Sequence, residues 1–174
     1  MGQAVTAMRA IVDTNVMVVA NRQASQASLD CVEHCIVRLR ALETTGKIVL
    51  DDDWHILGEY LDELSSAGQP GVGDAFFKWI LRNRTNPERC EYHHITPIYE
   101  STTSGEPVSF EEFPDDPALN NFDRQDRKMA ALAIISGAPI WNAVDADWWN
   151  HRIALQQHGI DADPARPDYF EPKV

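Results

Sequence analysis

Four carboxylates stand where phosphoryl chemistry could be done: Asp13, Glu59, Asp126 and Asp145, with Asp147 just behind the last. Asp13 closes a short apolar, β-branched run, Ala10-Ile11-Val12, and Asp145 closes another, Ile140 to Val144. Such runs mark strands buried on both faces of a parallel sheet, and in open sheets of that kind ligands gather beyond the carboxyl ends of the strands. Asp13 and Asp145 would then approach each other at one edge. Asp126, at the N-terminal end of the helix leading into the second strand, can face them, and Glu59 comes in from a helix covering that edge. Carboxylates crowded together repel one another and are costly to bury without cations. Hard oxygen ligands suit Mg²⁺ or Mn²⁺, and one or two such ions serve in-line hydrolysis of a phosphodiester by activating a water and stabilising the leaving oxygen. Taken alone, Asp13-Thr14-Asn15 is accounted for equally well as a helix cap.

The elements that must position these residues can be read in order. A short helix is expected over Val16 to Asn21, breaking at NRQASQAS, then a longer one from Ser28 to Thr44 with Leu29, Val32, Ile36, Leu39 and Leu42 on its apolar stripe. Thr45-Gly46 ends it, and Lys47 to Leu50 is a second strand. Asp51-Asp52-Asp53 reads better as the cap of the next helix than as a metal site. That helix runs to Ser66, with Trp54, Leu57, Leu61 and Leu64 inward and Glu59 and Glu63 off the stripe; either glutamate can be the helical ligand. A turn-rich GQPGVG precedes a helix from Asp74 to Arg84, and Glu91 to Thr96 is a third strand. Thr96 to Leu119 carries four prolines and six acids and reads as a long loop or lid, pinned by Phe110 and Phe113. Asp123 or Asp126 opens a helix through Ile135, stopped by Ser136-Gly137-Ala138-Pro139. Ala146 to His158 is a last helix, and Ile160 to Ala162 an edge strand.

Composition bounds the class. At 174 residues, 44% apolar and 24% charged, the chain is expected to hold one α/β domain over 8–174 behind a flexible leader, 1–7. No apolar run is long enough for a membrane span, and three cysteines are too few for a disulfide scaffold, so a reducing, cytoplasmic setting is expected. A net charge of −12 argues against coating nucleic acid by bulk electrostatics, but not against a nuclease whose bound cations reverse the field locally. Phosphate contacts must then come from local basic groups, of which Arg124, Arg127 and Lys128 flank Asp126.

In this order the motifs resemble the PIN-domain ribonucleases. IVDTNV matches that family's opening strand with its aspartate and Thr-Asn, and EYLDEL its helical glutamate, at Glu59. DRKMAALAIISGA matches the aspartate opening an alanine-rich helix, at Asp126, and IWNAVDADWW the closing strand with Asp145 and Asp147. Order and spacing agree from Met8 to Trp149, and Ile160–Phe170 is similar to the family's terminal strand and proline-linked segment. The resemblance implies a three-layer α/β/α sandwich with a mostly parallel sheet, Mg²⁺ or Mn²⁺ at the acids, and cleavage of single-stranded RNA. It further implies that Thr14 helps hold the metal or its water and that Asn15 buttresses the site. Two features depart from the family: Asn142-Ala143-Val144 replaces the usual strand-end glycine, and the Thr96–Leu119 loop is longer than compact members need.

Several function classes compete. A stand-alone RNA-processing enzyme and the toxin of a toxin–antitoxin pair both fit, the second implying an antitoxin protein as partner; a homodimer is carried beside them. A non-catalytic PIN-like module binding RNA or protein is the rival, and the presence of all four acids argues against it. A phosphatase or phospho-acceptor domain typically needs a second acid two residues after the first, where Asn15 stands. Cys31, His34 and Cys35 lack a second ligand pair and read as core. Trp148-Trp149 can stack a base, but one ring in the core and one on the surface is the simpler account.

Overall fold

The computed structural model describes residues 7–101 and 105–164. Five parallel strands form the central sheet: β1 (Arg9–Val12), β2 (Lys47–Asp51), β3 (Cys90–His93), β6 (Ile140–Asn142) and β7 (Ala162–Pro164), in the spatial order β3-β2-β1-β6-β7. A hairpin of β4 (Pro97–Ile98) and β5 (Ser109–Phe110) stands apart from it. The helices are α1 (Thr14–Ala20), α2 (Leu29–Thr45), α3 (His55–Glu63), α4 (Val72–Asn83), α5 (Arg127–Ser136), α6 (Ala146–Asn150) and α7 (Arg152–Gln157). The fold is the expected α/β/α sandwich. Helices α1, α2 and α4 pack on one another, while α5 runs against β1, β2, β3 and β6. Ile11, Val12, Ile48, Val49 and Leu50 are fully buried, which is why the inner strands read as unbroken apolar runs.

Strand order decides where a site can form. The chain moves outward from β1 through β2 to β3, then returns to the other side of β1 for β6 and β7. The loops leaving β1 and β6 therefore diverge and open a crevice beyond their carboxyl ends. Helix α1 lines that crevice, and its seat is made by close packing: a Cβ added at Gly73 of α4 would lie 2.1 Å from the Met17 carbonyl oxygen. Asn21 Oδ1 takes the Asp74 amide at 3.0 Å across the same contact.

Several elements differ from the sequence reading. The buried face of α2 is Cys31, Val32, Cys35, Leu39 and Leu42, whereas Leu29 is exposed, because the two cysteines complete the stripe. Helix α3 buries Ile56, Leu57 and Tyr60 and leaves Trp54 and Leu61 exposed; it stops at Glu63, after which Asp74 Oδ1 captures the Ser65 amide at 2.9 Å. Asp51 caps α3 with both oxygens, at 2.9 Å from the His55 and Ile56 amides. The last helix is two, α6 and α7, parted at His151. The long loop is partly ordered into the β4–β5 hairpin and a 3₁₀ turn at Pro117–Leu119; Phe110 is buried and Phe113 stacks on Phe122 at 5.8 Å. The edge strand lies at Ala162–Pro164, two residues later than expected. The expected leader, apart from Ala7, and the tail beyond Pro164 lie outside the described residues. Among the described residues, no helix is long and apolar enough to cross a membrane.

Candidate metal centre

The crevice gathers three carboxylates from distant parts of the chain. Asp13 directly follows β1 and caps α1, taking the Asn15 amide on Oδ1 at 3.2 Å. Its other oxygen, Oδ2, accepts the Trp148 indole N–H at 2.7 Å. Asp145 follows β6 and caps α6, taking the Asp147 amide at 2.9 Å. Asp126 ends the 3₁₀ turn Arg124–Asp126 that runs into α5. One carboxylate oxygen from each of the three lies within 4.8 Å of the others.

A pair of asparagines ties the two strand ends together. Asn15 Nδ2 donates to Asn142 Oδ1 at 2.9 Å, and Asn15 Oδ1 accepts the Ala143 amide at 2.8 Å. Asn142 in turn holds both backbone groups of Asp145, accepting its N–H at 3.1 Å and donating to its carbonyl at 2.9 Å. The expectation that Asn15 buttresses the site thus has a specific form: it fixes the turn that carries Asp145. Asn142, the first residue of the Asn142-Ala143-Val144 stretch, contacts the site in a way that sequence reasoning passed over as a mere departure. Trp148 takes the core place expected for one of the two tryptophans, but its hydrogen bond to the site was not foreseen. Instead of stacking a base, its ring is buried, edge-on to Phe122 at 4.9 Å, and its N–H orients Asp13. Trp149 instead lies under the Arg152 guanidinium.

The remaining candidates form a second ring around the three aspartates. Glu59 accepts from the Thr14 hydroxyl and pairs with the Lys128 ammonium, so it is joined to the site through its neighbours. Glu63 is exposed and lines the same crevice. Asp147 lies outside the three-aspartate cluster: its carboxylate accepts the Asp123 amide at 2.8 Å and meets His151 Nδ1 at 3.1 Å. Of the three basic candidates, Arg127 is turned inward, donating to the Phe122 and Asn120 carbonyls and lying over the Phe113 ring at 4.9 Å. Lys128 is engaged with Glu59, and Arg124 is exposed on the wall of a cleft.

The electrostatics of the three aspartates are those of an uncompensated cluster. Among the described residues, no lysine, arginine or histidine forms an ion pair with Asp13, Asp126 or Asp145. Burial, and then the Glu59 charge, push Asp13 up to about 7 against the donated Trp148 and Asn15 hydrogen bonds. Burial, followed by the charges of Asp13 and Asp145, raises Asp126 far above the carboxylate range. Asp126 is only 8% exposed, and its Oδ2 has no hydrogen-bond partner. A buried acceptor left without a donor costs free energy on the order of 1–3 kcal/mol unless something else satisfies it. A divalent cation would satisfy it and would reverse the sign of both pKa shifts.

The carboxylates line a crevice of about 370 Å³ that shares Glu59, Glu63, Asp123 and Gln125 with a larger cleft of about 900 Å³ between α3, the β4–β5 hairpin and the turn before α5. Elsewhere Asp52, Asp53 and His94 form a second group with ligand atoms within 4.8 Å, wholly on the surface. Compared with protein-family models, characterised proteins and solved structures, the chain finds no match.

Proposed function

We propose that this chain is a metal-dependent endoribonuclease of the PIN-domain kind, hydrolysing phosphodiester bonds of single-stranded RNA. The observation that carries the reading is the meeting of Asp13, Asp126 and Asp145 at the switch point of the sheet, the first two buried and Asp145 half-buried, without a basic partner, and with one Asp126 oxygen unsatisfied. The donor set is all oxygen, which suits Mg²⁺ or Mn²⁺ rather than a softer ion. When bound, the cation supplies Lewis acidity, an activated water and compensation of charge on the leaving oxygen.

The chain's own part is to hold the ligands in place. The Asn15 amide and the Trp148 indole fix the Asp13 carboxylate from both ends. Asn142 fixes the backbone of Asp145, and Thr14 and Lys128 hold Glu59 at the edge of the crevice. A polyanion approaching this cleft meets more acids than bases, so its entry depends on the bound cation and on Arg124. The reading is in keeping with the resemblance of the four acidic motifs.

The test is cleavage of labelled single-stranded and duplex RNA by the purified chain, in EDTA, Mg²⁺ and Mn²⁺, beside Asp13→Asn and Asp145→Asn. Metal-dependent cutting of the single strand that both variants lose is the expected result. Cutting that survives in both variants, or none by the wild-type chain in either metal, overturns the reading.

A further inference from the structure

We propose that Trp54 and Tyr99 form a stacking subsite that receives unpaired nucleobases of the strand entering the cleft; the proposal rests on the reading of the chain as a nuclease for single-stranded nucleic acid. Both rings line the 900 Å³ cleft that shares its inner wall with the carboxylate crevice. Trp54 is 47% exposed and Tyr99 55%, although the same protein buries Trp148, Tyr60, Phe76, Phe77 and Phe122 almost completely. The chain thus leaves two large aromatic rings in water, and both stand on one cleft.

Each ring is held on a fixed support. Trp54 has φ 66° and ψ 25°, the left-handed conformation, which glycine or asparagine adopts easily and a tryptophan does not. The strain is held by the start of α3, where Asp51 takes the His55 and Ile56 amides at 2.9 Å and the Trp54 carbonyl accepts the Gly58 amide at 2.8 Å. A bulky residue kept in so unfavourable a backbone state points to a use for its side chain. Tyr99 follows β4, and that hairpin is anchored by Phe110, buried and edge-on to His55 at 5.3 Å. The Glu112 carboxylate also takes the Thr96 amide at 2.9 Å.

The charge of the cleft sets which side of a strand faces which wall. Asp62, Glu63 and Glu106 line it and repel phosphates, whereas Arg124 stands on the turn before α5, next to Asp123, and Lys128 on the first turn of α5 is paired with Glu59. A strand that sets its phosphates towards Arg124 and the metal centre turns its bases to the aromatic wall. Stacking uses the π-face every base has and needs that face uncovered, so the subsite selects unpaired bases with little regard to sequence.

The experiment is fluorescence-anisotropy binding of a 12-nucleotide unstructured RNA and of the same strand with consecutive abasic positions, in Mn²⁺, to the full chain and to Trp54→Ala, Trp54→Gly, Trp54→Phe, Tyr99→Ala and Tyr99→Phe. Trp54→Gly suits the left-handed backbone, so a loss in that variant cannot be laid to misfolding. Each Ala or Gly variant is expected to weaken binding by about tenfold or more, each Phe variant by less than about threefold, and the abasic strand should bind the wild-type chain no better than the intact strand binds Trp54→Ala. Equal binding of intact and abasic strands, wild-type affinity in the Ala variants, or no RNA binding by the wild-type chain overturns the subsite. Base-dependent binding without cleavage in Mn²⁺ would instead keep the subsite and remove the nuclease reading.

Discussion

Replacing Asp145 by asparagine should make the metal-free protein more stable. The substitution preserves the cap of α6, since an amide oxygen can still take the Asp147 N–H that Asp145 Oδ1 takes at 2.9 Å. It removes a negative charge from the cluster and puts an N–H donor among acceptors. Two unit charges 4.8 Å apart, the outer limit of the spacing here, repel by about 3.5 kcal/mol at an effective dielectric of about 20. Burial and mutual repulsion raise the pKa values of both Asp13 and Asp126, which weakens their charge at neutral pH, so only part of that repulsion is relieved. About 2 kcal/mol is then the expected gain, which for 174 residues raises the melting temperature by roughly 4–8 °C. Mn²⁺ at a hundredfold its dissociation constant should stabilise the wild-type chain by about 2.7 kcal/mol, and the variant should lose most of that increment. Thermal melts followed by circular dichroism, in EDTA and in Mn²⁺, read both effects. A variant that melts at or below wild type in EDTA, or gains as much from Mn²⁺, would refute the account of Asp145 as a strained ligand and make it a structural hydrogen-bonding residue.

Two further outcomes follow from the same geometry. Trp148→Phe leaves Asp13 Oδ2 buried without its donor; it should cost about 1–3 kcal/mol of stability and weaken Mn²⁺ binding, and calorimetric titration showing unchanged affinity and an unchanged melt would mean the indole only fills space. In EDTA the pH profile of stability should be a dome. Asp13 and Asp126 have folded pKa values above their ordinary range, so their penalty is present at high pH and is relieved towards pH 4 as pH falls, from about 10 for Asp126 and from about 7 for Asp13. Glu91 is held down at about 2, chiefly by hydrogen bonding to Arg9, so its contribution is complete above about 4.5 and is lost as pH falls through about 2. Melts between pH 2 and 9 check this: Mn²⁺ should flatten the alkaline limb alone, Arg9→Met should make the acid limb shallower without touching the alkaline one, and a steady rise in stability from pH 5 to 8 in EDTA would contradict the assignment.

The periodicity of the chain carried most of the architecture. Short β-branched runs alternating with amphipathic helices dictate a parallel sheet with helices on both faces, because no other arrangement buries both sides of Ile11-Val12 and Ile48-Val49-Leu50. The placing of Asp13 was legible for the same reason, since a carboxylate ending a buried strand has only the strand end in which to stand; β6 was expected to reach Val144 but ends at Asn142, and Asp145 stands beyond it as the cap of α6. What the pattern could not carry was everything that depends on two elements meeting. That Asn142 would join Asn15, that the Trp148 indole would turn inward to Asp13, and that Lys128 would be spent on Glu59 are outcomes of pairings between residues up to 135 positions apart, which local sequence does not encode. Helix faces were misjudged at Leu29, Trp54 and Leu61, where a shift of one residue in the start of a helix, or two small cysteines taking the inward positions, rotates the buried stripe by about 100° per residue. The cleft beside the carboxylates, with Trp54 and Tyr99 on its walls, exists only because α3, a hairpin within an acidic, proline-rich loop and the turn before α5 converge. Composition alone determined that this loop could not pack by itself; the surface of the folded sheet decided where it came to rest.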